Sequence, residues 1–219
     1  NEKKDKIRQR LWKIRAKKII ISTGAMERPL IFNNNDRPGI MLSSAVKKYA
    51  DFYGVVSGKK NIFFTNNDSA YESALCLYDK GIKVDAIIDI RDNSNSKIIK
   101  AVEKAGIKIY WSHTVVDTNG YRRLNSISVM KLSNDGMTVT GNRINISCDC
   151  LGVAGGWTPA VHLFTQSGGK LKFDEDNNVF LPNKYPSDQI SVGSCNGNLN
   201  LKEIINELSI KLKEFLKID

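Results

Sequence analysis

A strand-to-helix turn that grips a pyrophosphate needs glycine, because backbone amides must reach the phosphate oxygens with no side chain between. The run Asn61–Thr65, followed by Asn66, Asn67, Asp68 and Ser69, makes such a turn with no glycine in it. Asp68 also sets a negative charge where phosphates would lie, so coulombic repulsion opposes their binding. Asp89 ends the next apolar run, about 20 residues on, where nucleotide-binding folds place an acid against a ribose hydroxyl. Without the glycines, the stronger reading is that Asp89 caps a loop or pairs with a nearby Lys. The inner unit is therefore expected to be a scaffold. Strand-to-glycine turns do occur at Ser22-Thr23-Gly24-Ala25, at Gly155-Gly156 and at Val192-Gly193-Ser194.

Other reactive side chains are few. Cys76, Cys148, Cys150 and Cys195 include no CxxC pair, which argues against a zinc knuckle or a dithiol redox centre. Cys148 and Cys150, two apart, are expected on one face of a strand as packing groups. His113 and His162 lie far apart in sequence, so no metal site is expected. His162, between Trp157 and Phe164, reads as a packed, hydrogen-bonded histidine before a proton carrier. Trp157 and Phe164 likewise read as core. No catalytic acid or base is assigned.

These turns need elements to position them. The run Lys18–Thr23 is continuous and β-branched, as a strand buried on both faces would be. Alternating helix and strand signals follow. The spacing predicts a helix over Ser43–Tyr53 stopped by Gly54, then a strand at Asn61–Thr65. A helix opened by a Ser69/Glu72 capping box comes next, followed by a strand at Val84–Ile88, a helix over Ser96–Ala105 and a strand at Ile107–Trp111. That is a βαβαβ order. Ser126–Leu132 and Met137–Ile146 flank Asn134-Asp135-Gly136 with alternating apolar residues, which predicts an antiparallel flap. Leu201, Ile204, Ile205, Leu208, Leu212, Phe215 and Leu216 repeat at helical spacing, with Asn200 and Glu203 as caps, and predict a helix packed on a sheet.

The 219 residues are 41% hydrophobic, enough for one large domain or two small ones. No run reaches the roughly 18 apolar residues of a membrane-spanning helix, and no signal peptide is legible, so a cytoplasmic location and no membrane partner are expected. The 33 Lys and Arg exceed the 23 Asp and Glu by ten. The excess is spread along the chain, densest at Lys3–Lys18, and reads as a solvated face and not as a nucleic-acid site.

Taken together, Ser22-Thr23-Gly24-Ala25, Glu27-Arg28-Pro29, Arg37-Pro38-Gly39, Phe63–Tyr71, Gly155–Phe164 and Gln166–Gly169 carry a resemblance. The chain resembles the alpha subunits of heterotetrameric sarcosine oxidases along nearly its whole length. Such subunits have a core similar to the pyridine nucleotide-disulfide reductases. The resemblance implies an α/β fold in which an incomplete reductase-like cofactor domain (1–57 and 148–219) is interrupted by an inserted Rossmann-like βαβαβ domain (58–147) with an antiparallel β flap. It implies NAD as this chain's cofactor, with Thr23, Gly24, Ala25, Arg28, Gly155, Gly156, Gly193 and Asn196 as the binding residues. Flavin-binding reductases usually carry Gly-Asp where this chain has Gly193-Ser194, so NAD is the expectation over a flavin here.

The resemblance also implies the surroundings. The glycine-rich opening turn is expected before Asn1, and a tetrahydrofolate-binding half after Asp219. FAD and FMN are expected in the complex, with the amine oxidised at a flavin held largely by another subunit. Beta, gamma and delta subunits are the implied partners and sarcosine the implied substrate. A strand at Lys18–Thr23 lacking a neighbour would expose apolar surface, which predicts poor solubility of the chain alone. Two other readings stand beside this one: a subunit of a related flavin-dependent proline, opine or amine dehydrogenase, and a non-enzymatic basic interaction module.

Overall fold

The computed structural model describes residues 9–217. The chain divides into two units. Unit 1 comprises Asn1–Ala25 and Thr158–Asp219, and unit 2 comprises Met26–Trp157. Along the chain, β1 (Ile19–Ile21) lies in unit 1, and β2 (Ala25–Glu27) carries the chain into unit 2. There β3 (Ile40–Leu42), α1 (Ser43–Asp51), β4 (Asn61–Thr65), α2 (Ser69–Asp79), β5 (Val84–Asp89), α3 (Lys97–Lys104) and β6 (Lys108–Tyr110) succeed one another. Then come β7 (His113–Asn119), β8 (Ser126–Leu132), β9 (Val139–Ser147) and β10 (Cys150–Ala154). The chain returns through β11 (Trp157–Pro159) to α4 (His162–Gln166), β12 (Lys170–Asp174), β13 (Val179–Lys184), β14 (Gln189–Ser191), a 3-10 turn (Gly193–Asn196) and α5 (Leu201–Leu216).

Unit 2 is built on a five-stranded parallel sheet in the order β3-β10-β4-β5-β6. Side chains alternate across a strand, and β4 shows what that alternation does. Its Phe63 packs with Val46 of α1, Ala70, Tyr71, Ala74 and Leu77 of α2, and Ile99 of α3. Its Ile62 and Phe64 face the other way, into Val115, Ile127 and Val129 of the antiparallel β7-β8-β9 sheet. Helices therefore cover one face of the parallel sheet and a second sheet covers the other. All three β4 side chains are 0–2% exposed. Gly152 of β10 makes room for the Phe63 ring, because a Cβ there would stand 2.6 Å from two ring carbons.

This division differs from the expected boundaries at 57/58 and 147/148. β3 pairs with β10 and β10 pairs with β4, so Ile40–Asp51 and Cys150–Ala154 belong to the parallel sheet and its helix layer. Local changes of composition do not reveal this, since hydrogen bonding between strands about 90 and about 110 residues apart decides it.

Unit 1 pairs β1 with β14 in parallel, Ile21 opposite Ser191, and folds β12 against β13 as an antiparallel hairpin. Ile21, Phe164 and Cys195 form its buried cluster, with Leu171 packed against them. Lys18–Thr23 is not buried on both faces: among the described residues β1 has one strand partner, and Ile19 and Ile20 are 47% and 41% exposed. α5 is capped as expected, Asn200 Oδ1 accepting from the amides of Lys202 and Glu203. Its packing is thinner than its pattern predicts. Ile204, Leu208, Leu212 and Phe215 form a half-buried stripe, while Leu201, Ile205 and Ile210 stay exposed and no α5 side chain is fully buried. No helix among the described residues is long and apolar enough to cross a membrane.

Candidate functional site

The carboxyl ends of parallel strands are where α/β sheets hold ligands, since the following turns open there. In unit 1, β1 and β14 end side by side, and Thr23-Gly24 and Gly193–Asn196 lie just past those ends. The Val192 amide donates to Ile21 O (2.9 Å) and the Cys195 thiol also approaches Ile21 O (3.4 Å), which ties the two exits together. Thr23 Oγ1 donates to Ala160 O at 2.6 Å, and the Ala160 amide donates back to Gly24 O at 2.9 Å. Gly24 has φ +76°, and a Cβ placed on it would meet nothing within 4 Å. Its backbone requires glycine, and the space in front of it is open. Gly193 also takes a positive φ, +75°. Asn196 is engaged internally: its Oδ1 accepts from the Tyr185 hydroxyl (3.0 Å) and its Nδ2 donates to Glu207 (3.1 Å).

In unit 2, Arg28, Gly155 and Gly156 meet one another. The Gly155 amide donates to Arg28 O (2.6 Å) and the Arg28 amide to Gly156 O (2.8 Å). A Cβ on Gly155 would lie 2.9 Å from the carbonyl oxygens of Arg28 and Pro29, and one on Gly156 would lie 3.0 Å from the Arg28 guanidinium. The close approach that these glycines permit is thus filled by the protein's own chain. Of the eight residues expected to bind a cofactor, Thr23, Gly24, Ala25, Gly193 and Asn196 fall in unit 1, and Arg28, Gly155 and Gly156 in unit 2.

The glycine-free turn after β4 is closed by its own side chains. The Asn66 amide donates to Ala154 O, the Asn67 amide to Thr65 Oγ1 and the Ser69 amide to Asn67 Oδ1. Three amides that would face a phosphate in a glycine-rich turn are therefore spent. The Ser69/Glu72 capping box does not form. Asp68 stands at the N-cap but its side chain accepts from no amide of the helix, and Asn67, one residue earlier, accepts from both the amide and the hydroxyl of Ser69.

Asp89, fully buried, accepts from the Tyr71 hydroxyl (2.7 Å), the Arg91 amide (3.0 Å) and the Arg91 guanidinium (2.7 Å), while the same guanidinium donates to Asp68 (2.8 Å). Its cationic partner is Arg91, two residues on, and not a lysine. Burial, then the charge and hydrogen bond of Asp89, hold the Tyr71 phenol well above its ordinary range. Burial works against the Arg91 charge, but the bonds to Asp89 and Asp68 outweigh it and hold the guanidinium above its usual range. Trp111 stacks on the Tyr71 ring, centroids 6.3 Å apart. Sequence reasoning missed this network. The signal was an acid at a strand end with an arginine two residues later.

Two smaller expectations are corrected. Cys148 and Cys150 enter opposite clusters, Cys148 among Ile62 and Leu151 and Cys150 among Phe63 and Ala154. The amides of Asp149 and Cys150 both reach Lys60 O, at 3.2 and 3.3 Å, and the chain bends at Asp149, which resets the alternation. His162 is exposed at the start of α4 and not packed, whereas Phe164 is fully buried.

A parallel sheet with helices on one face and an antiparallel sheet on the other, with paired strand exits carrying Thr-Gly and Val-Gly turns, defines a dinucleotide-type oxidoreductase fold. The chain belongs to the pyridine nucleotide-disulphide oxidoreductase family, whose family model matches residues 1–190. More specifically, it is similar to sarcosine oxidase subunit alpha of Corynebacterium sp. (strain P-1), with 40% identity over 192 residues, 87% of this chain and 19% of that protein. Sarcosine oxidase subunit alpha of Rhizobium meliloti (strain 1021) is 36% identical over 174 residues, 79% of this chain and 16% of that protein. The chain thus spans about a fifth of the length of these relatives. In fold it is similar to T. acidophilum thioredoxin reductase, with TM-score 0.68, 17% identity, and 92% of this chain and 64% of that one covered. L-proline dehydrogenase from P. horikoshii matches with TM-score 0.54 and 19% identity over 82% of this chain and 30% of that one.

Proposed function

We propose that these residues form part of the alpha subunit of a sarcosine oxidase-type complex, an oxidoreductase acting on a CH-NH bond. The observation that carries this reading is the 40% identity to a sarcosine oxidase alpha subunit over 87% of the chain. In this reading the complex demethylates sarcosine oxidatively to glycine at a flavin held largely by a partner subunit. FAD and FMN serve in the complex, beta, gamma and delta subunits are partners, and tetrahydrofolate binds in a further segment of the polypeptide.

This chain's part is one wall of an NAD site. The open space before Gly24 and its required positive φ fit a ligand brought against the β1 exit, beside the Gly193 turn. Thr23, Gly24, Ala25, Gly193 and Asn196 of unit 1 would hold it. Bound there, a nicotinamide dinucleotide supplies hydride chemistry. Thr23 keeps the turn in place through its bond to Ala160 O, and Ser194 offers no carboxylate where a flavin site would use one. The turn at Asn66–Ser69 takes no part, since its amides are already bonded.

The test is calorimetric titration of NAD into a polypeptide extended to the length of the relatives, with oxygen uptake measured on sarcosine and on proline. Saturable NAD binding and uptake on sarcosine are expected. A subunit of that length that bound no dinucleotide would overturn the NAD assignment, and uptake on proline alone would move the substrate to the proline dehydrogenase class.

A further inference from the structure

At the amino ends of β4 and β10, the edge of the parallel sheet opposite its carboxyl ends, four cationic side chains surround one cavity. Lys59 and Lys60 immediately precede β4, Arg122 and Arg123 lie in the β7–β8 turn, and the cavity between them measures about 440 Å³. That size is within the range of small-molecule sites. We propose that this cavity binds a small ligand carrying two or more adjacent anionic groups, phosphate or carboxylate.

The turns that present these cations are held in place before any ligand arrives. Gly120 adopts φ +142°, and a Cβ on it would lie 1.9 Å from Arg123 O, so only glycine permits the turn that carries Arg122 and Arg123. Arg37 donates to Gly120 O and to Thr118 Oγ1, and the Leu124 amide donates to Pro38 O at 2.8 Å. On the facing segment, a Cβ on Gly58 would stand 2.5 Å from Cys150 Cβ and 2.6 Å from Asp149 Oδ1. Two glycine-dependent close approaches thus fix the backbone at both cationic pairs, which lowers the ordering cost of binding.

Charge decides the ligand class. The one carboxylate in the lining, Asp149, is taken up by the chain: its oxygens accept from the amides of Lys59 (3.1 Å) and Lys60 (2.7 Å). Lys60 Nζ donates to Ser147 Oγ, whereas the Lys59, Arg122 and Arg123 side chains have no hydrogen-bond or ion-pair partner among the described residues. Cys148 adds no anion, since burial, then the charges of Cys150 and Asp149, push its thiol up to about 12. Like charges held together without partners repel one another, and a multivalent anion relieves that repulsion while satisfying the guanidinium forks.

The test is calorimetric titration of the full chain with inorganic tripolyphosphate and, separately, with citrate at physiological salt. Saturable binding of either is expected, and which one binds assigns phosphate or carboxylate. Lys59→Ala/Arg122→Ala/Arg123→Ala should weaken it at least tenfold with an unchanged near-UV circular dichroism spectrum. If that variant is destabilised, the single exposed reversal Lys59→Glu should give a comparable loss. Lys100→Ala/Lys104→Ala, which removes two exposed charges from α3, should leave affinity within twofold. Binding of neither anion up to 10 mM on the order of weak small-ligand affinities, equal loss in the α3 control, or binding of an acidic peptide alone would overturn the site.

Discussion

Replacing Arg91 with Met tests whether the acid-arginine network of unit 2 is a structural clamp. The change removes the guanidinium that bonds the fully buried Asp89 at 2.7 Å and the half-exposed Asp68 at 2.8 Å, and keeps an apolar stem over Tyr71. Breaking a buried pair from one side costs about 3–5 kcal/mol, because the remaining charge is stranded. Asp89 retains the Tyr71 hydroxyl and the residue-91 amide, and the Arg91 side chain is 27% exposed, so water reaches part of the site. The expected loss is therefore about 2–3 kcal/mol. For a unit of this size that lowers the melting temperature by roughly 10 °C.

Urea unfolding followed by tryptophan emission suits the measurement, since Trp111 stacks directly on Tyr71. Asp68→Asn is the internal control, because its partly exposed pair should contribute no more than about 1 kcal/mol. Asp89→Asn together with Arg91→Met should recover part of the loss, since no buried charge is then stranded. If Arg91→Met unfolds within about 1 kcal/mol of the parent, or Asp68→Asn costs as much as Arg91→Met, the clamp argument is wrong.

Glu27 accepts from the Ser44 amide at 2.9 Å, and burial raises its carboxyl above the ordinary range, with the Ser44 bonds only partly opposing. The folded state therefore holds this proton more tightly than the unfolded state, so the Glu27 contribution to stability is most favourable below the ordinary carboxylate range and falls as pH rises through the raised value. Relative to Glu27→Gln, the parent should lose ground as pH rises from the ordinary carboxylate range toward neutrality, as read from urea midpoints. A constant difference across that range would refute the shift. Burial also pushes the thiols of Cys148 and Cys150 up to about 12. A chromogenic disulfide reagent at mild alkaline pH should therefore find only the half-buried Cys76 in the folded chain, and all four thiols in guanidinium. Fast reaction of more than one thiol in the native protein would contradict the packing around them.

Several elements were legible because their signals are local. Gly54, Gly81 and Gly106 stop the three helices of unit 2 with positive φ, as residues without a Cβ do at helix ends. The Asp135-Gly136 turn joins β8 and β9, and Asn200 caps α5. The hairpin over Lys170–Lys184 was not assigned from sequence. Its register shifts between Lys170 and Leu171 and it carries Pro182, both of which blur a period of two.

The candidate site was legible only in residue type. Glycines at 24 and 193 announce special backbone conformations, and both take positive φ. Gly155 looks the same in sequence, yet contact with the carbonyls of Arg28 and Pro29 fills the place of its side chain. Asp89 and Asp68 could be named as acids near a nucleotide position, but their shared pairing with Arg91, and the bond Asp89 accepts from Tyr71, depend on how two strand ends and a helix start come together.

By itself the sequence determined the alternation of strands and helices, the helix stops, the absence of a glycine in the β4–α2 turn and the family to which the chain belongs. These depend on neighbouring residues and on residue identity. The tertiary structure alone decided that β3 and β10 join β4 in one sheet, that Cys148 and Cys150 part to opposite faces, and that Lys59, Lys60, Arg122 and Arg123 line a single cavity. Those outcomes rest on hydrogen bonds and close approaches between segments far apart in the chain, which no local pattern encodes.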